Sequence, residues 1–279
     1  MIPPLISVIL PAHNEAEYLG DCLTALLASE PGNWRAEVIV AANACTDQTV
    51  SVAQGFANQI EALGWGFKVT ETATPGKLNA FNEGEAMASG TLFAYLDADV
   101  QVSPPLMGQI VGVLHGSAPA YASGRPVVAP ARSALTRAYA RFWQRLPFVT
   151  EGVPGFGLFA VNAAGRKRWD AFPDIISDDT FVRLCFAPDE RHLLPATYSW
   201  PMIEGLRNLV RVRRRQDAGV TEIARQFPEL LKNDDTSRPG VGELAGMGLR
   251  DPLGFAAYAL VKLAVKTPYA AGTGWVRGR

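Results

Sequence analysis

Two pairs of closely spaced carboxylates are the clearest chemical feature of this 279-residue sequence. Asp97 and Asp99 follow an apolar run at residues 92–96, and Asp178 and Asp179 are adjacent in the segment DIISDDTFVRL. Two carboxylates so close repel each other unless a proton or a cation lies between them. Oxygen ligands suit Mg2+ and Mn2+, which usually keep positions for water and substrate phosphate. The DxD sequence therefore suggests a metal–diphosphate site. For an isolated DxD, the alternative is a solvated turn in which Asp97 caps the next segment.

Strand and helix patterns alternate four times over residues 5–116. The predicted strands are LISVILPA, AEVIVAAN, FKVTET and TLFAYLDAD, and the predicted helices are AEYLGDCLTALLAS, TDQTVSVAQGFANQI, KLNAFNEGEAMAS and PPLMGQIVGVLHG. Strands that are apolar on both faces indicate a parallel sheet covered by helices on both sides. In such sheets, ligands bind beyond the carboxyl ends of the strands, where Asp97 and Asp99 are expected to lie.

The second half of the sequence is less regular. ASGRPVVAP and LFAVNA have strand patterns, and RSALTRAYARFWQRL has a helical pattern with a mixed face. Residues 228–252 are rich in Pro, Gly and charge, which predicts a loop or a weakly ordered segment.

Four segments, in a fixed order, resemble a known family. They are PAHNEAEYLGDCLTALL, VAANACTDQTV, TPGKLNAFNEGEAMASGTLFAYLDADV and DIISDDTFVRL. Together they resemble the inverting family-two glycosyltransferases, whose GT-A fold binds nucleotide sugars. The resemblance covers about residues 5–110 and 150–215. It implies an α/β fold with a Rossmann-like, mostly parallel central sheet flanked by helices, followed by a less regular C-terminal extension.

The resemblance also implies an activity and a domain organisation. It predicts an enzyme that moves a sugar from a UDP- or GDP-linked nucleoside diphosphate to an acceptor hydroxyl, with Mg2+ or Mn2+ as cofactor. The predicted GT-A domain covers residues 1–225, with a nucleotide-sugar-binding half at 1–115 and an acceptor half at 116–225. Residues 226–279 are predicted to form a loop and an amphipathic helical extension.

The resemblance implies that nucleotide-binding residues lie near the ends of the first four strands. These residues are Pro11, His13, Glu15, Asn43, Asp47, Lys77 and Asp97. Glu15 is expected either to accept a hydrogen bond from a ribose hydroxyl or to be a first-turn acid stabilised by the helix dipole. Asp47 is expected either to contact the nucleotide or only to cap the following helix.

The loop after the second strand departs from the family pattern. Members commonly carry an acidic pair there that helps to bind the base and the ribose, whereas this chain has Ala42 and Asn43. The identity of the nucleotide therefore stays open. Lys77 opens a helix after a glycine, where its ammonium and the helix N-terminus both suit a diphosphate. The alternative for Lys77 is an ordinary surface lysine.

By the same resemblance, Asp97 and Asp99 hold the cation, with Asp99 the more direct ligand, and Asp179 is the general base. A base is needed because the acceptor hydroxyl must lose a proton as it attacks. Asp178 is expected to hold position or to help bind the acceptor. Alternatively, Ser177, Asp178 or Asp179 caps the helix DTFVRLCF, which is compatible with catalysis because a capping residue is fixed in place.

Two segments are candidates for binding the donor sugar or the acceptor. In GVPGFGLFAVN, Gly155, Phe156 and Gly157 are expected to form a wall, since glycines permit close backbone approach to a ligand; the alternative is a plain glycine turn.

In GLRNLVRVRRRQ, Arg211 and Arg214 are candidates for neutralising the leaving diphosphate. A solvated basic face, or contact with an anionic acceptor or a phospholipid headgroup, are the alternatives. No QxxRW motif is present, which argues against a processive polymerase.

Composition narrows the functional classes. The net charge of −1 gives no general attraction to nucleic acid. Cys22, Cys45 and Cys185 are far apart and no CxxC occurs, so a disulfide framework and a zinc cluster are not expected and a reducing, cytoplasmic compartment fits. The N-terminus lacks the basic start and the cleavage site of a secretory signal.

The C-terminal segment raises the question of a membrane. Its apolar run at residues 253–265 is too short to span a bilayer, and a buried or partner-facing amphipathic helix is the main interpretation. A second hypothesis places residues 253–279 on the inner face of a membrane, where a lipid-linked acceptor waits. The basic residues of this segment are Lys262, Lys266, Arg277 and Arg279.

Two other functions stay open at this point. A sugar-phosphate nucleotidyltransferase would keep the fold, but such enzymes usually carry a glycine-rich, basic loop after the first strand, where this chain has PAHNEAEY. A non-catalytic sugar-nucleotide-binding protein is the other alternative, against which the presence of both acidic pairs argues.

Overall fold

The structure is a computed structural model in which residues 3–269 are described. The strands in this range are β1 (Leu5–Ala12), β2 (Arg35–Asn43), β3 (Gly66–Thr72), β4 (Leu92–Leu96), β5 (Gln101–Val102), β6 (Tyr121–Val128), β7 (Leu158–Asn162) and β8 (Arg191–Trp200). The helices of the first half are α1 (Leu19–Leu27), α2 (Thr49–Gln54), α3 (Ala57–Ala62), α4 (Lys77–Ala86), α5 (Leu106–Leu114) and α6 (Ala134–Trp143). Those that follow are α7 (Pro147–Thr150), α8 (Ala163–Arg166), α9 (Asp178–Leu184), α10 (Leu206–Gln226), α11 (Val241–Arg250) and α12 (Pro252–Val265).

The strands form one mixed sheet in the order β3-β2-β1-β4-β7-β6-β8-β5. β1 pairs in parallel with β2 and β4, and β2 pairs in parallel with β3. β7 then joins β4 antiparallel, and β6 pairs antiparallel with β7 but parallel with β8. The predicted α/β fold with a mostly parallel central sheet is confirmed. The carboxyl ends of β1 to β4 therefore meet at one edge of the sheet.

Three apolar clusters hold these layers together. One face of the sheet packs on α1 and α5 through residues such as Leu23 and Ile110. The other face packs on α4 and α9 through an aromatic group that includes Phe81 and Tyr95. A third cluster joins α6, α10 and α12 around Phe142, so the C-terminal helix is packed on the body of the molecule.

The short elements β5, α7 and α8 were not predicted, and three larger differences have physical reasons. The predicted helix TDQTVSVAQGFANQI is divided into α2 and α3 at Gly55, a residue type that weakens helices. β8 was not predicted because Pro195 interrupts its pattern, and the sheet accommodates the proline with a register shift opposite residues 123–125. α11 lies where a loop was predicted; it buries no residue fully, but Leu244 and Met247 pack on the third cluster.

Two further observations concern the C-terminal region. The predicted domain boundary at residue 225 falls at the end of α10, and the division of the chain into two domains stays a prediction. Among residues 3–269, none of the helices combines the length and the apolar character needed to cross a bilayer. Arg277 and Arg279 lie outside the described residues.

Candidate active site

The loops that follow β1, β2 and β3 are tied to one another. Asn14 adopts a left-handed conformation with φ of 54°, and its side-chain oxygen accepts hydrogen bonds from the backbone N–H groups of Thr46 (2.6 Å) and Asp47 (3.2 Å). His13 Nδ1 lies 2.6 Å from the carbonyl oxygen of Asn43. Asn43 Nδ2 donates to the carbonyl oxygen of Gly76 at 2.8 Å. An amide can make this last bond and a carboxylate cannot, so Asn43 links the second loop to the third.

These loops border a cavity of about 1450 Å³ at the carboxyl edge of the sheet. Most of the residues predicted for the site line it: Pro11, His13, Glu15, Asn43, Lys77, Asp97, Asp99, Phe156, Gly157, Asp178 and Asp179. The fold therefore brings the two acidic pairs, which are far apart in sequence, into one space.

Lys77 joins the two acidic pairs. It is the first residue of α4 and follows Gly76, whose φ of 127° is accessible to glycine. Its Nζ lies 2.8 Å from Asp97 Oδ1 and 2.9 Å from Asp178 Oδ2. The ammonium is thus shared between one carboxylate of each pair.

Negative charge is in excess around this lysine. Burial raises the pKa of Asp99 to about 7, and the charge of Asp97 adds to the shift. Burial also raises the pKa of Asp179 to about 6, with Asp178 adding to the shift and Lys77 opposing it. For Lys77, burial favours a lower pKa, but Asp178 and Asp97 outweigh it and hold the pKa above its usual value. Burial raises the pKa of Asp97 as well, and the charges of Lys77 and Arg215 oppose this rise.

Helix α9 fixes the second acidic pair. Asp178 and Asp179 occupy its first turn, where the helix dipole favours negative charge, and Asp179 Oδ1 accepts a hydrogen bond from the backbone N–H of Thr180 at 2.7 Å. The loop before α9 packs closely on α10 at Gly219, because a Cβ there would overlap Ser177 Oγ. Both carboxylates are therefore held on a packed element.

The glycine-containing segment before β7 is attached directly to the DxD. The backbone N–H of Asp97 donates to the carbonyl oxygen of Gly157 at 2.9 Å. Gly157 has φ of 77°, and a Cβ there would lie 2.7 Å from Trp200 Cδ1. Gly155 has φ of 69° and is close to Tyr121 Oη, which a Cβ would overlap. Gly157 and Phe156 line the cavity, whereas Gly155 shapes the turn from outside the lining.

Besides Gly155, three predicted residues lie outside the cavity lining. Asp47 is exposed and accepts hydrogen bonds from the backbone N–H groups of Thr49 (3.0 Å) and Ala16 (3.2 Å). Arg214 points to the end of α12, where it donates to the carbonyl oxygen of Val265 at 3.0 Å. Arg211 is half-buried on α10, outside the lining. Their contacts with a nucleotide or a leaving group stay predictions.

The arginines that line the cavity differ from the two chosen from the sequence. Arg213 and Arg215 line the cavity from α10 in place of Arg211 and Arg214. Arg183 lines it one helical turn after Asp179, and its Nη2 lies 3.0 Å from Asp234 Oδ1. The helical spacing from Asp179 was a signal that would have pointed to Arg183.

An aromatic wall was also missed. Trp143 and Trp200 stack with ring centroids 5.6 Å apart, and Phe156 meets Trp200 edge-on at 5.1 Å. All three residues line the cavity, as do Phe148 from α7 and Tyr258 from α12. No sequence signal connects these rings, because they come from five separate segments.

Comparison with known proteins identifies the family of the chain. The profile described as Glycosyl transferase family 2 matches residues 7–171, which include β1 to β4, Lys77 and the DxD. The chain belongs to this family. The profile ends before Asp178 and Asp179, so the second acidic pair of this family 2 protein lies outside the matched region.

Curated relatives share part of the chain. Glycosyltransferase AglE from Haloferax volcanii is 30% identical over 114 residues, which cover 41% of this chain and 36% of AglE. Validoxylamine A glucosyltransferase from Streptomyces hygroscopicus subsp. jinggangensis is 28% identical over 117 residues, which cover 42% of this chain and 27% of that protein. The alignments thus span about a third or less of the length of these relatives.

Solved structures share the fold over nearly the whole chain. A mannosyltransferase from Pyrobaculum calidifontis, in complex with GDP-Man and Mn2+, superposes with a TM-score of 0.59 and 19% identity over 96% of this chain and 76% of that one. S. aureus TarS, in complex with UDP, superposes with a TM-score of 0.54 and 14% identity over 98% of this chain and 95% of that one. The GT-A type of fold predicted for this family 2 member is confirmed.

Proposed function

We propose that this family 2 protein transfers a sugar from a nucleoside diphosphate sugar to an acceptor hydroxyl, with inversion at the anomeric carbon and with a divalent cation. The observation that carries the proposal is the position of Lys77, whose ammonium contacts Asp97 and Asp178 at 2.8 and 2.9 Å in one cavity. A site for the leaving diphosphate and a site for proton removal are thereby adjacent.

The residues at the DxD fit a divalent cation. Asp97 and Asp99 are oxygen donors of the type that Mg2+ and Mn2+ prefer. The raised pKa of Asp99, about 7, results from burial and from the charge of Asp97, and a cation would relieve this repulsion. Within residues 3–269, no group of three or more His, Cys, Asp or Glu side chains is arranged to hold a metal ion. Asp97 and Asp99 would supply the protein ligands, with Asp99 the more direct one.

The donor would bind along the loops after β1, β2 and β3. Pro11, His13, Glu15 and Asn43 line this part of the cavity, and Lys77 is placed to contact the diphosphate. Proteins of the same fold are recorded with GDP-Man and Mn2+ and with UDP, which supports a nucleotide-sugar donor. This chain has Ala42 and Asn43 where the family commonly has an acidic pair. The proposal therefore names neither the base of the nucleotide nor the sugar.

The chain's own residues account for the chemical step as follows. When bound, the cation would offset the charge that develops on the leaving diphosphate. Asp179 removes the proton of the acceptor hydroxyl, whose oxygen attacks the anomeric carbon from the face opposite the diphosphate, so configuration inverts. Asp178 holds Lys77 beside Asp97. The packed start of α9 keeps Asp179 in place for this proton transfer.

The aromatic wall is proposed to bind the acceptor. Trp143, Phe156 and Trp200 present ring surfaces in the cavity, and such surfaces favour sugar rings or apolar groups over charged ones. The proposed acceptor therefore carries a sugar or an apolar part beside its hydroxyl.

Product analysis tests the proposal. The protein is incubated with UDP-, GDP-, CDP- and dTDP-sugars, an acceptor mixture and Mn2+ or Mg2+. Release of nucleoside diphosphate that a chelator abolishes, with inverted anomeric configuration by NMR, is the expected result. Release of pyrophosphate would identify a nucleotidyltransferase instead, and binding without any product would identify a non-catalytic protein.

A further inference from the structure

The two C-terminal helices expose large apolar side chains in an ordered arrangement. On α12, Leu253, Leu260 and Leu263 are 74%, 45% and 64% exposed and share one helical face. On α11, Val241 and Leu249 are 89% and 84% exposed, two turns apart. These five residues are called the apolar stripe below. Exposed leucines that recur on one face of a helix are typical of a contact surface.

Helix α12 also forms part of the cavity. Gly254, Ala257 and Val261 are buried in its packing against α6 and α10. Tyr258 and Lys262 line the cavity from the side of α12 that is turned away from the exposed leucines. A single helix therefore has the proposed acceptor side of the cavity on one face and part of the apolar stripe on another.

The charge around the apolar stripe is positive. Residues 238–269 contain the basic residues Arg238, Arg250, Lys262 and Lys266 and the acidic residues Glu243 and Asp251. Of these, Arg238 and Lys262 line the cavity, and Glu243 is exposed on α11. Asp251 is largely neutralised, because Arg141 pairs with it at 2.7 Å. Arg250 and Lys266 are exposed at the ends of α11 and α12. Leucines flanked by exposed cations suit the interface of an anionic bilayer.

The same charges disfavour a second copy of this chain as the occupant. A symmetric dimer through the apolar stripe would bring the basic ends of one copy near those of the other. Like charges facing each other across an interface cost free energy. The observations therefore favour a lipid surface.

We propose that the apolar stripe docks on an anionic lipid bilayer, so that α12 lies between the membrane and the cavity. Together with the proposed function, on which this part rests, the docking assigns the acceptor to molecules presented by the membrane, with the lipid part near the aromatic wall. The docking itself needs neither nucleotide nor metal.

Vesicle co-sedimentation of the full chain tests the docking. The wild type is expected to sediment with phosphatidylcholine–phosphatidylglycerol vesicles at low salt, to bind less as salt rises, and to bind weakly to phosphatidylcholine alone. The variant Leu253→Gln/Leu260→Gln/Leu263→Gln is expected to lose most of the bound fraction. A matched control is Leu63→Gln/Val127→Gln, because these residues are also exposed, at 49% and 47%, but lie outside the apolar stripe.

Each outcome bears on the docking alone. Circular dichroism and thermal melting verify that the variants fold. Failure of the wild type to bind anionic vesicles, or equal binding by the triple variant, overturns the docking. A wild-type dimer in analytical ultracentrifugation that the triple variant dissociates, without vesicle binding, would identify a self-association surface instead. Release of nucleoside diphosphate with a soluble acceptor is measured separately, so the two proposals fail independently.

Discussion

The ammonium of Lys77 lies 2.9 Å from Asp178 Oδ2, so the first residue of α4 contacts the first residue of α9. Helix α4 lies within the residues that the family profile matches, and α9 lies beyond them. This ion pair connects the proposed leaving-group site to the proposed base.

Replacement of Lys77 by methionine is expected to weaken nucleoside diphosphate binding by about 1.5–3 kcal/mol, roughly ten- to a hundredfold, because a charged hydrogen-bond donor is lost. Isothermal titration calorimetry measures this change. Lys167→Met is the control, since Lys167 is an exposed lysine outside the cavity. Unchanged affinity in Lys77→Met would contradict the assignment of Lys77 to the diphosphate.

Replacement of Asp99 by asparagine is expected to lower transfer by about a hundredfold or more, because the charge that holds the cation is reduced. Mn2+ binding in the presence of nucleotide, followed by electron paramagnetic resonance, is expected to weaken in parallel. Asp174→Asn, at an exposed position outside the cavity lining, serves as the control. Full turnover with normal metal dependence would show that Asp99 is not a ligand.

Replacement of Asp179 by asparagine is expected to lower kcat by about a hundredfold to ten-thousandfold, which is the usual contribution of a general base. Nucleotide affinity is expected to stay within about twofold, because Asp179 does not contact the diphosphate in the proposed mechanism. Calorimetry and a transfer assay on the same preparation separate the two effects. Intact transfer would exclude Asp179 as the base.

The pH dependence of transfer is expected to follow the pKa of Asp179, which burial and Asp178 raise to about 6. The base acts when deprotonated, so kcat/KM, which reports the pKa of the free enzyme, is expected to be constant above this pKa and to fall about tenfold per pH unit below it. Asp178→Asn removes a charge that raises this pKa, and the acidic limb is expected to move to lower pH. A limb that stays in place in Asp178→Asn would argue against the coupling of the pair.

Replacement of Trp200 by leucine is expected to raise the acceptor KM by about fivefold, or about 1 kcal/mol, because the ring face is lost from the aromatic wall. Donor KM is expected to be unchanged. Trp65→Leu is a matched control, since Trp65 packs on Trp34 at 5.3 Å and does not line the cavity. A rise in donor KM alone would place Trp200 in the donor site.

Replacement of Asp251 by alanine is expected to lower the free energy of unfolding by about 1–2 kcal/mol, because its carboxylate caps α12 and pairs with Arg141. The hydrogen bonds from Arg141 lower the pKa of Asp251 to about 2. The stabilisation is therefore present above the ordinary aspartate pKa of about 4 and is lost as the pH falls toward about 2. Urea unfolding at several pH values measures it, and Glu243→Ala, an exposed acid on α11, is the control.

The parallel half of the fold was predictable from the sequence because β1, β2 and β4 are mostly apolar runs and β3 alternates apolar with polar residues. β1 was predicted at its observed bounds, and the DxD followed the strand end as expected. β8 was not predictable by the same reasoning, because Pro195 breaks its pattern and the break is compensated by β6, a distant segment. Local patterns carry no information about such compensation.

The candidate site shows the same division. Residues that follow strand ends, such as Asn43 and Asp97, could be placed from topology alone. The arginines of α10 could not, because the helical pattern defines a set of faces but not which face meets the cavity. Arg213 and Arg215 line it, while Arg214 holds the end of α12. The position of α12 determines which arginines of α10 face the cavity. Helix α12 is held in that position by residues that are distant in sequence.

The acceptor side of the cavity has two kinds of wall. One is the turn at Gly157, whose carbonyl oxygen accepts a hydrogen bond from the N–H of Asp97, and the other comes from α6 and α12. The segment around Gly157 cannot shift without shifting the backbone of Asp97, so mutations there alter the handling of the leaving group as well. The walls from α6 and α12 have no such bond to Asp97 among the described contacts. Substitutions that change the acceptor are therefore expected to accumulate in α6 and α12. The sequence of the turn at Gly157 is expected to vary least among related enzymes.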